Sequence, residues 1–197
     1  MQYLFSKPNL KHDKDGIYSF SIPNSKKVCI DAGECRGWCM IEKGNFQVYP
    51  NIKQGYQDRY KLTLQENFPE LINNELQNRK IKGNKILFVR PHVSGEFYNQ
   101  VYLDKWYNVF RSNPDVKFVI YTKSFKRLKW TKTKKLANVA VIESFGGRDK
   151  VRKRNAHAIV FDKIEDIPSN YTNCYESDAL AFETAKNGNG NIALVMK

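Results

Sequence analysis

The chain has 197 residues, 41% of them hydrophobic, with 12 Phe, 11 Tyr and 3 Trp. That length suits one domain with a sizeable core, and the aromatic content excludes a disordered chain. The formal net charge is +13, from 33 Lys and Arg against 20 Asp and Glu, a field that either draws polyanions such as nucleic acid or nucleotides or only aids solubility.

Residues 1–16 are polar after Leu4 and Phe5 and hold no apolar signal core, so the expected location is the cytoplasm. The longest apolar runs, 116–121 and 139–142, are too short to cross a bilayer, and no basic amphipathic membrane helix is evident. No membrane partner is expected.

Residues 17–22 (IYSFSI) read as a strand ending at Pro23. Segment 24–45 contains Cys29, Cys35, Cys39, Gly33, Gly37 and Gly44 and reads as a loop with little regular structure. Residues 56–78 have helical apolar spacing, with Pro69 breaking the helix or opening a second one. KILFVR (85–90) is a buried strand by composition. The helix predicted over 99–112 places Val101, Tyr102, Trp106, Val109 and Phe110 near one face, and Asn113-Pro114 ends it.

Next come a strand at 116–123, a short basic helix at 124–136, and strands at 138–144, 157–162 and 191–196, the last preceded by a loop over 186–191. Continuous apolar strands alternating with helices predict an α/β fold: an open, mostly parallel sheet with helices on its faces, or a partial (β/α) barrel. The whole chain, 1–197, reads as one such domain carrying the N-terminal cysteine loop 24–45. Chemistry in such sheets sits at the carboxyl ends of the strands.

The cysteine spacing is Cys29-x5-Cys35-x3-Cys39, with Cys174 far away. Clustered cysteines in a reducing compartment point to metal or redox chemistry rather than disulfides. Soft thiolates select zinc, iron–sulfur or copper(I). A structural zinc wants four protein ligands, and the fourth could be Cys174, His92 or His157. An open fourth position suits a reactive iron–sulfur cluster.

Strand 85–90 runs into Arg90-Pro91-His92-Val93-Ser94-Gly95-Glu96. Gly95 would let backbone approach a ligand, and Glu96 could accept from an ammonium group, or cap the next helix. Gly146-Gly147 could form an anion-accepting nest beside Arg148. Two basic stretches follow strand ends. One is 123–135, with Phe125 and Trp130 interleaved; the other is the loop holding Arg148, Lys150, Arg152, Lys153 and Arg154. Cations with interleaved rings suit a polynucleotide track, and the loop cluster is the stronger signal.

The order of these features carries a resemblance. A Ser-Ile-Pro strand end precedes a cysteine loop ending Cys39-Met40. After a helix come Arg-x-His-x-Ser-Gly-Glu-Phe-Tyr, Tyr102-x3-Trp106, and Asn113-Pro114-x3-Phe118-x2-Tyr121-Thr122-Lys123-Ser124. Over about residues 17–150 this resembles the phage "gene product 88" family, and more distantly it is similar to radical S-adenosylmethionine enzymes. The resemblance implies a four-iron cluster held by Cys29, Cys35 and Cys39, with one iron open to the amino and carboxylate groups of S-adenosylmethionine. Ser94, Gly95 and Glu96 would correspond to the motif that receives that amino group, and Tyr121, Lys123 and Ser124 would line the pocket. The reading from sequence is thus a phage-type iron–sulfur protein acting on or near nucleic acid. Two alternatives stand beside it: a nucleic-acid-binding module with a structural zinc, and a phage protein that binds a host factor through its basic face.

Overall fold

Strands rich in Val, Ile and Phe bury both faces, and here that composition yields a sheet in which every pairing is parallel. A computed structural model describes residues 4–6, 17–42, 48–81 and 88–195. The elements are β1 (Ile17–Phe20), α1 (Pro50–Leu64), α2 (Phe68–Ile81), β2 (Phe88–Pro91), α3 (Gln100–Ser112), β3 (Lys117–Thr122), α4 (Thr131–Lys134), β4 (Val139–Ser144), β5 (His157–Phe161), β6 (Thr172–Asn173), α5 (Asp178–Asn187) and β7 (Asn191–Val195). The seven-stranded sheet is curled and open, in the order β1-β2-β3-β4-β5-β7-β6.

That order decides where the helices lie. From β1 to β5 the chain steps one way along the sheet, so right-handed crossovers put their helices on one face. Phe68, Ile72 and Leu76 of α2 and Tyr102, Leu103, Trp106, Val109 and Phe110 of α3 pack there against Phe20, Val89, Phe118 and Ile120. The chain then overshoots to β6 and returns through α5 to β7. The reversed step puts α5 on the opposite face, where Ala181 and Phe182 meet Val119, Tyr121, Ala140, Ile142 and Ile192.

Several sequence expectations need correction. Pro69 opens a second helix, one of the two outcomes expected of it, its missing N–H costing nothing in the first turn; what differs is the extent, since the two helices run over 50–64 and 68–81 and not 56–78. Val101 is 62% exposed while Tyr102 and Leu103 are buried, because the apolar face of α3 starts one residue later. The basic segment 124–136 forms only the four-residue α4, the rest being turns. Residues 186–187 finish α5 rather than belonging to the loop before β7. That helix was not expected from sequence, although Ser177, whose hydroxyl accepts the Leu180 N–H at 3.0 Å, and Gly188 bracket it. The predicted residues 43–45, 85–87 and 196 lie outside the described residues.

Candidate metal centre at the strand ends

The cysteine loop lies across the carboxyl ends of the first four strands. It leaves β1 beside the end of β2, where Ile22 N–H donates to Ser94 O at 3.1 Å. Beyond β3, the Asp31 carboxylate accepts Ser124 Oγ at 2.6 Å and Arg127 Nε at 2.7 Å. Beyond β4, Gly33 N–H and Cys35 N–H both donate to Gly146 O, at 3.1 and 3.0 Å, and Arg148 N–H returns to Asp31 O at 2.9 Å. Gly146 has φ +83, and a Cβ there would stand 2.7 Å from the Trp38 ring and 3.0 Å from Cys35 Cβ, so only glycine permits this seating. The expected anion nest at Gly146-Gly147 instead receives the cysteine loop's own backbone: Ala32 forms an isolated bridge with Gly147.

Cys29 is partly buried against the main core. Burial pushes its thiol up to about 12, Glu96, Cys39 and Cys35 push the same way, and Lys123 opposes them. These groups therefore share one electrostatic neighbourhood. Asn24 Nδ2 donates to Cys39 Sγ at 3.5 Å. Among the described residues, no three His, Cys, Asp or Glu side chains stand close enough to hold one metal ion. A shared metal must therefore draw the sulfurs closer, and the donor chemistry, three thiols on one anchored loop, fits a soft metal.

The structure does not bring the other proposed ligands to this loop. Cys174 packs in the α5-side core, its Sγ 3.9 Å from Thr184 Oγ1. His92, at φ 64, is enclosed by Phe20, Phe97, Tyr102 and Trp106. Burial pulls it down to about 3 against an opposing contribution from the Ser94 backbone, so it is neutral. The His157 ring faces Tyr171 Oη and Asn155 O, each at 2.8 Å.

Glu96 is buried and ties the end of β2 to the end of β3. Its Oε1 accepts Phe97 N–H at 2.8 Å and Thr122 Oγ1 at 2.9 Å, and Oε2 accepts Lys123 N–H at 2.7 Å. Oε2 thus keeps room for one more donor. Desolvation raises the Glu96 pKa despite those hydrogen bonds. The expected alternative, a helix cap, falls to Asn99, whose Oδ1 accepts Tyr102 N–H at 2.8 Å. Gly95 has φ +88, and a Cβ would meet Ile22 Cγ1 at 2.4 Å; the backbone it lets approach is that of Ile22. Ser94 is buried beside it, its N–H donating to Ser21 Oγ at 3.3 Å.

The three pocket residues expected after β3 separate. Lys123 Nζ reaches Ser144 Oγ at 3.3 Å and stays near Cys29 and Glu96. Ser124 is fully buried and engaged by Asp31. Tyr121 turns to the α5 face, where its hydroxyl donates to Asp178 at 3.3 Å under the Arg90 guanidinium, 4.6 Å from the ring. Period-two alternation along β3 sends it there.

Comparison with known proteins now adds one finding: residues 4–194 match the family described as Gene product 88. The chain belongs to that family of phage proteins. No curated protein and no solved structure matches it significantly.

In this gene product 88 chain the basic loop after β4 divides into two parts. Arg148, Lys150, Lys153 and Arg154 are exposed. Arg152 turns inward: its N–H and Nε each donate to the Glu143 carboxylate at 2.9 Å. Burial alone would raise Glu143, but the Arg152 and Asn155 hydrogen bonds outweigh it and hold the carboxyl below its ordinary value. Arg152 is therefore a structural clamp, contrary to its expected place in a phosphate-binding set. The other basic stretch is also partly neutralised, Lys126 pairing with Asp149 at 2.8 Å and Arg127 with Asp31. Phe125 and Trp130 are 3% and 4% exposed, so neither ring is available for base stacking. Trp130 packs on Phe97 in the main core and Phe125 lies under the Arg152 guanidinium, contacts invisible in a sequence that showed only aromatics among lysines.

Among the described residues, no helix is long and apolar enough to cross a membrane.

Proposed function

We propose that this phage protein carries an iron–sulfur cluster on Cys29, Cys35 and Cys39 and acts, in the host cytoplasm, on or near nucleic acid in the manner of a radical S-adenosylmethionine enzyme. The observation that carries the reading is the seating of a three-cysteine loop over the ends of four parallel strands, beside a buried carboxylate and a lysine. Three thiols with Cys174 and His92 placed elsewhere favour a metal centre with one open position over a four-ligand zinc.

When bound, the cluster would supply one-electron chemistry and an iron open to an amino acid's amino and carboxylate groups. The chain's own residues would orient that ligand. Glu96 Oε2 has capacity for one ammonium hydrogen bond, and an arriving cation would favour the ionised carboxylate. Lys123 is the neighbouring cation for a carboxylate. The exposed Arg148, Lys150, Lys153 and Arg154 flank the cysteine loop through the Arg148–Asp31 backbone contact, which suits phosphate binding next to the centre.

Anaerobic purification tests the reading. Brown protein with iron and sulfide supports it, and cleavage of S-adenosylmethionine on reduction supports the radical step. Colourless protein holding one zinc removes it.

A further inference from the structure

The cysteine loop is held over the strand ends on two sides. After β4, Gly33 and Cys35 N–H donate to Gly146 O, and Arg148 N–H donates to Asp31 O. On the side of Glu96 the loop is held through the Asp31 carboxylate, two residues beyond Cys29. Asp31 Oδ2 accepts both Ser124 Oγ, at 2.6 Å, and Arg127 Nε, at 2.7 Å. The Asp31 side chain is 13% exposed and that of Arg127 30%, so water and salt screen this pair less than one on the open surface.

Arg127 does more than close an ion pair. Its Nη1 donates to Tyr98 O at 3.0 Å, and its Nη2 donates to Phe97 O at 3.1 Å and to Ser124 Oγ at 3.0 Å. Phe97 and Tyr98 directly follow Glu96, and Ser124 follows Lys123. One guanidinium therefore bridges the cysteine loop and the two segments that carry Glu96 and Lys123. The planar fork of arginine serves acceptors in several directions at once, which a lysine ammonium on its flexible stem does not do in fixed geometry. A second path runs beside it. Ser124 N–H donates to Thr122 Oγ1 at 3.0 Å, and Thr122 Oγ1 donates to Glu96 Oε1 at 2.9 Å. The same Phe97 whose carbonyl meets Arg127 gives its N–H to Glu96, so Asp31 is linked to Glu96 along both paths.

We infer that Arg127 is a positioning residue: acting through Asp31, it fixes Cys29 relative to Glu96 and Lys123. Within the basic run 123–135 it is engaged by the loop rather than offered to phosphate. The inference rests on the reading of the cysteines, Glu96 and Lys123 as one site, and not on which metal the cysteines hold.

Alkylation of the metal-free full chain by iodoacetamide, followed cysteine by cysteine by peptide mass spectrometry, tests the inference. A partly buried thiol reacts as its own segment opens. Cys29 should react about tenfold faster or more in Arg127→Gln, the scale of losing charge-assisted hydrogen bonds. Asp31→Ala cuts the same link from the loop side and serves if Arg127→Gln fails to fold. It should give a similar rise, and the double variant should add little to either single one. Arg127→Lys should fall between Arg127→Gln and the parent. Cys174, in the α5-side core, should keep its rate in all of them, and Lys126→Gln should match the parent at every cysteine. After anaerobic reconstitution, Arg127→Gln should keep its iron but bind S-adenosylmethionine about tenfold more weakly in equilibrium dialysis. The inference is overturned if Cys29 keeps the parent's rate, if Cys174 accelerates by the same factor, or if the iron-loaded variant binds S-adenosylmethionine as the parent does. A parent that takes up no iron removes the cluster reading, and the thiol rates then decide this one alone.

Discussion

The Glu96 carboxylate accepts the backbone N–H of Lys123 at 2.7 Å, joining the ends of two adjacent strands directly beneath the cysteine loop. Replacing Glu96 by Gln keeps the shape but leaves one of the two carboxylate oxygens as an NH2 group. Oε1 and Oε2 together serve three donors, so at least one buried donor loses its acceptor. Glu96→Gln should destabilise the fold by about 1–3 kcal/mol, read by urea unfolding at constant m. The charge also matters. Because burial raises the Glu96 pKa, the native state binds the proton more tightly than the unfolded chain. Its contribution is fully present below the unfolded carboxyl pKa and is lost as pH rises through the higher native value. That component of the pH profile should vanish in the Gln variant.

The cysteines should divide three to one. Cys29, Cys35 and Cys39 share a loop fastened to Gly146 and Ser124, and Cys174 lies on the α5 side. Single serine variants at 29, 35 and 39 should each lose most of the iron and sulfide after anaerobic reconstitution. Cys174→Ser should keep both. Iron lost equally in all four would mean that Cys174 moves to the loop, against its packing with Thr184.

Glu143 is fully buried and its clamp, Arg152, is about one-third exposed, with a side-chain accessibility of 34%. Truncating Arg152 leaves the buried carboxylate with the residue-152 backbone N–H, the Asn155 amide and a distant Lys134, 3.9 Å away. Breaking a wholly buried pair costs about 3–5 kcal/mol, and partial exposure of Arg152 reduces this to about 2–3 kcal/mol for Arg152→Ala. Alanine at Lys150 or Arg154 should change stability by less than about 0.5 kcal/mol. The Glu143 pKa is lowered in the fold. The clamp's contribution is therefore present above the unfolded carboxyl pKa and lost as pH falls through the lower native one. Thermal unfolding of parent and Arg152→Ala from pH 7 to pH 3 should converge at the acid end.

The parallel sheet was legible because a strand buried on both faces carries a continuous apolar run, as FVIY in β3 and VAVI in β4 do. The cysteine loop was legible because three thiols in eleven residues stand out at any register. What escaped the sequence was direction. Arg152 and Arg154 look alike in a basic run, yet one faces Glu143 and the other solvent; only the end of β4 beneath them decides it. Tyr121 and Ser124 are three residues apart, but Tyr121 turns to Asp178 on the α5 face and Ser124 to Asp31 on the cysteine loop. Helix α5 was bracketed by Ser177 and Gly188, but the face it covers follows from the reversed step β6–β7, a property of strand order and not of local pattern.

His92 gives an acid-sensitive fold. Its pKa is pulled from 6.5 to about 3 by burial among aromatic rings. The unfolded chain takes up the proton first, so the stability present above about pH 6.5 falls progressively as pH drops toward 3. Linkage puts this at a few kcal/mol. An Asn at 92 tolerates the left-handed backbone and does not titrate. His92→Asn should lower stability at neutral pH, through the cavity it leaves, and flatten the fall between pH 6.5 and 4. A profile as steep as the parent's would assign the acid sensitivity to the carboxylates instead.

Nucleic-acid binding, if it uses the loop after β4, should carry the arithmetic of its free cations. Arg148, Lys150, Lys153 and Arg154 are exposed, and Arg152 is held by Glu143. Each lysine or arginine that neutralises a phosphate of duplex DNA contributes about 0.9 to the slope of log K against log salt. Substituting the four exposed residues by Gln should therefore reduce that slope by about 3–4 and weaken binding with little regard to sequence. Arg152→Gln should leave the slope unchanged at temperatures where the variant is folded, while showing its stability loss by unfolding. Fluorescence polarisation with a labelled duplex across salt concentrations separates the two. A slope that falls as much for Arg152→Gln as for a neighbour would mean that the clamp opens on binding, and a slope near zero in the parent removes the polynucleotide role of this loop.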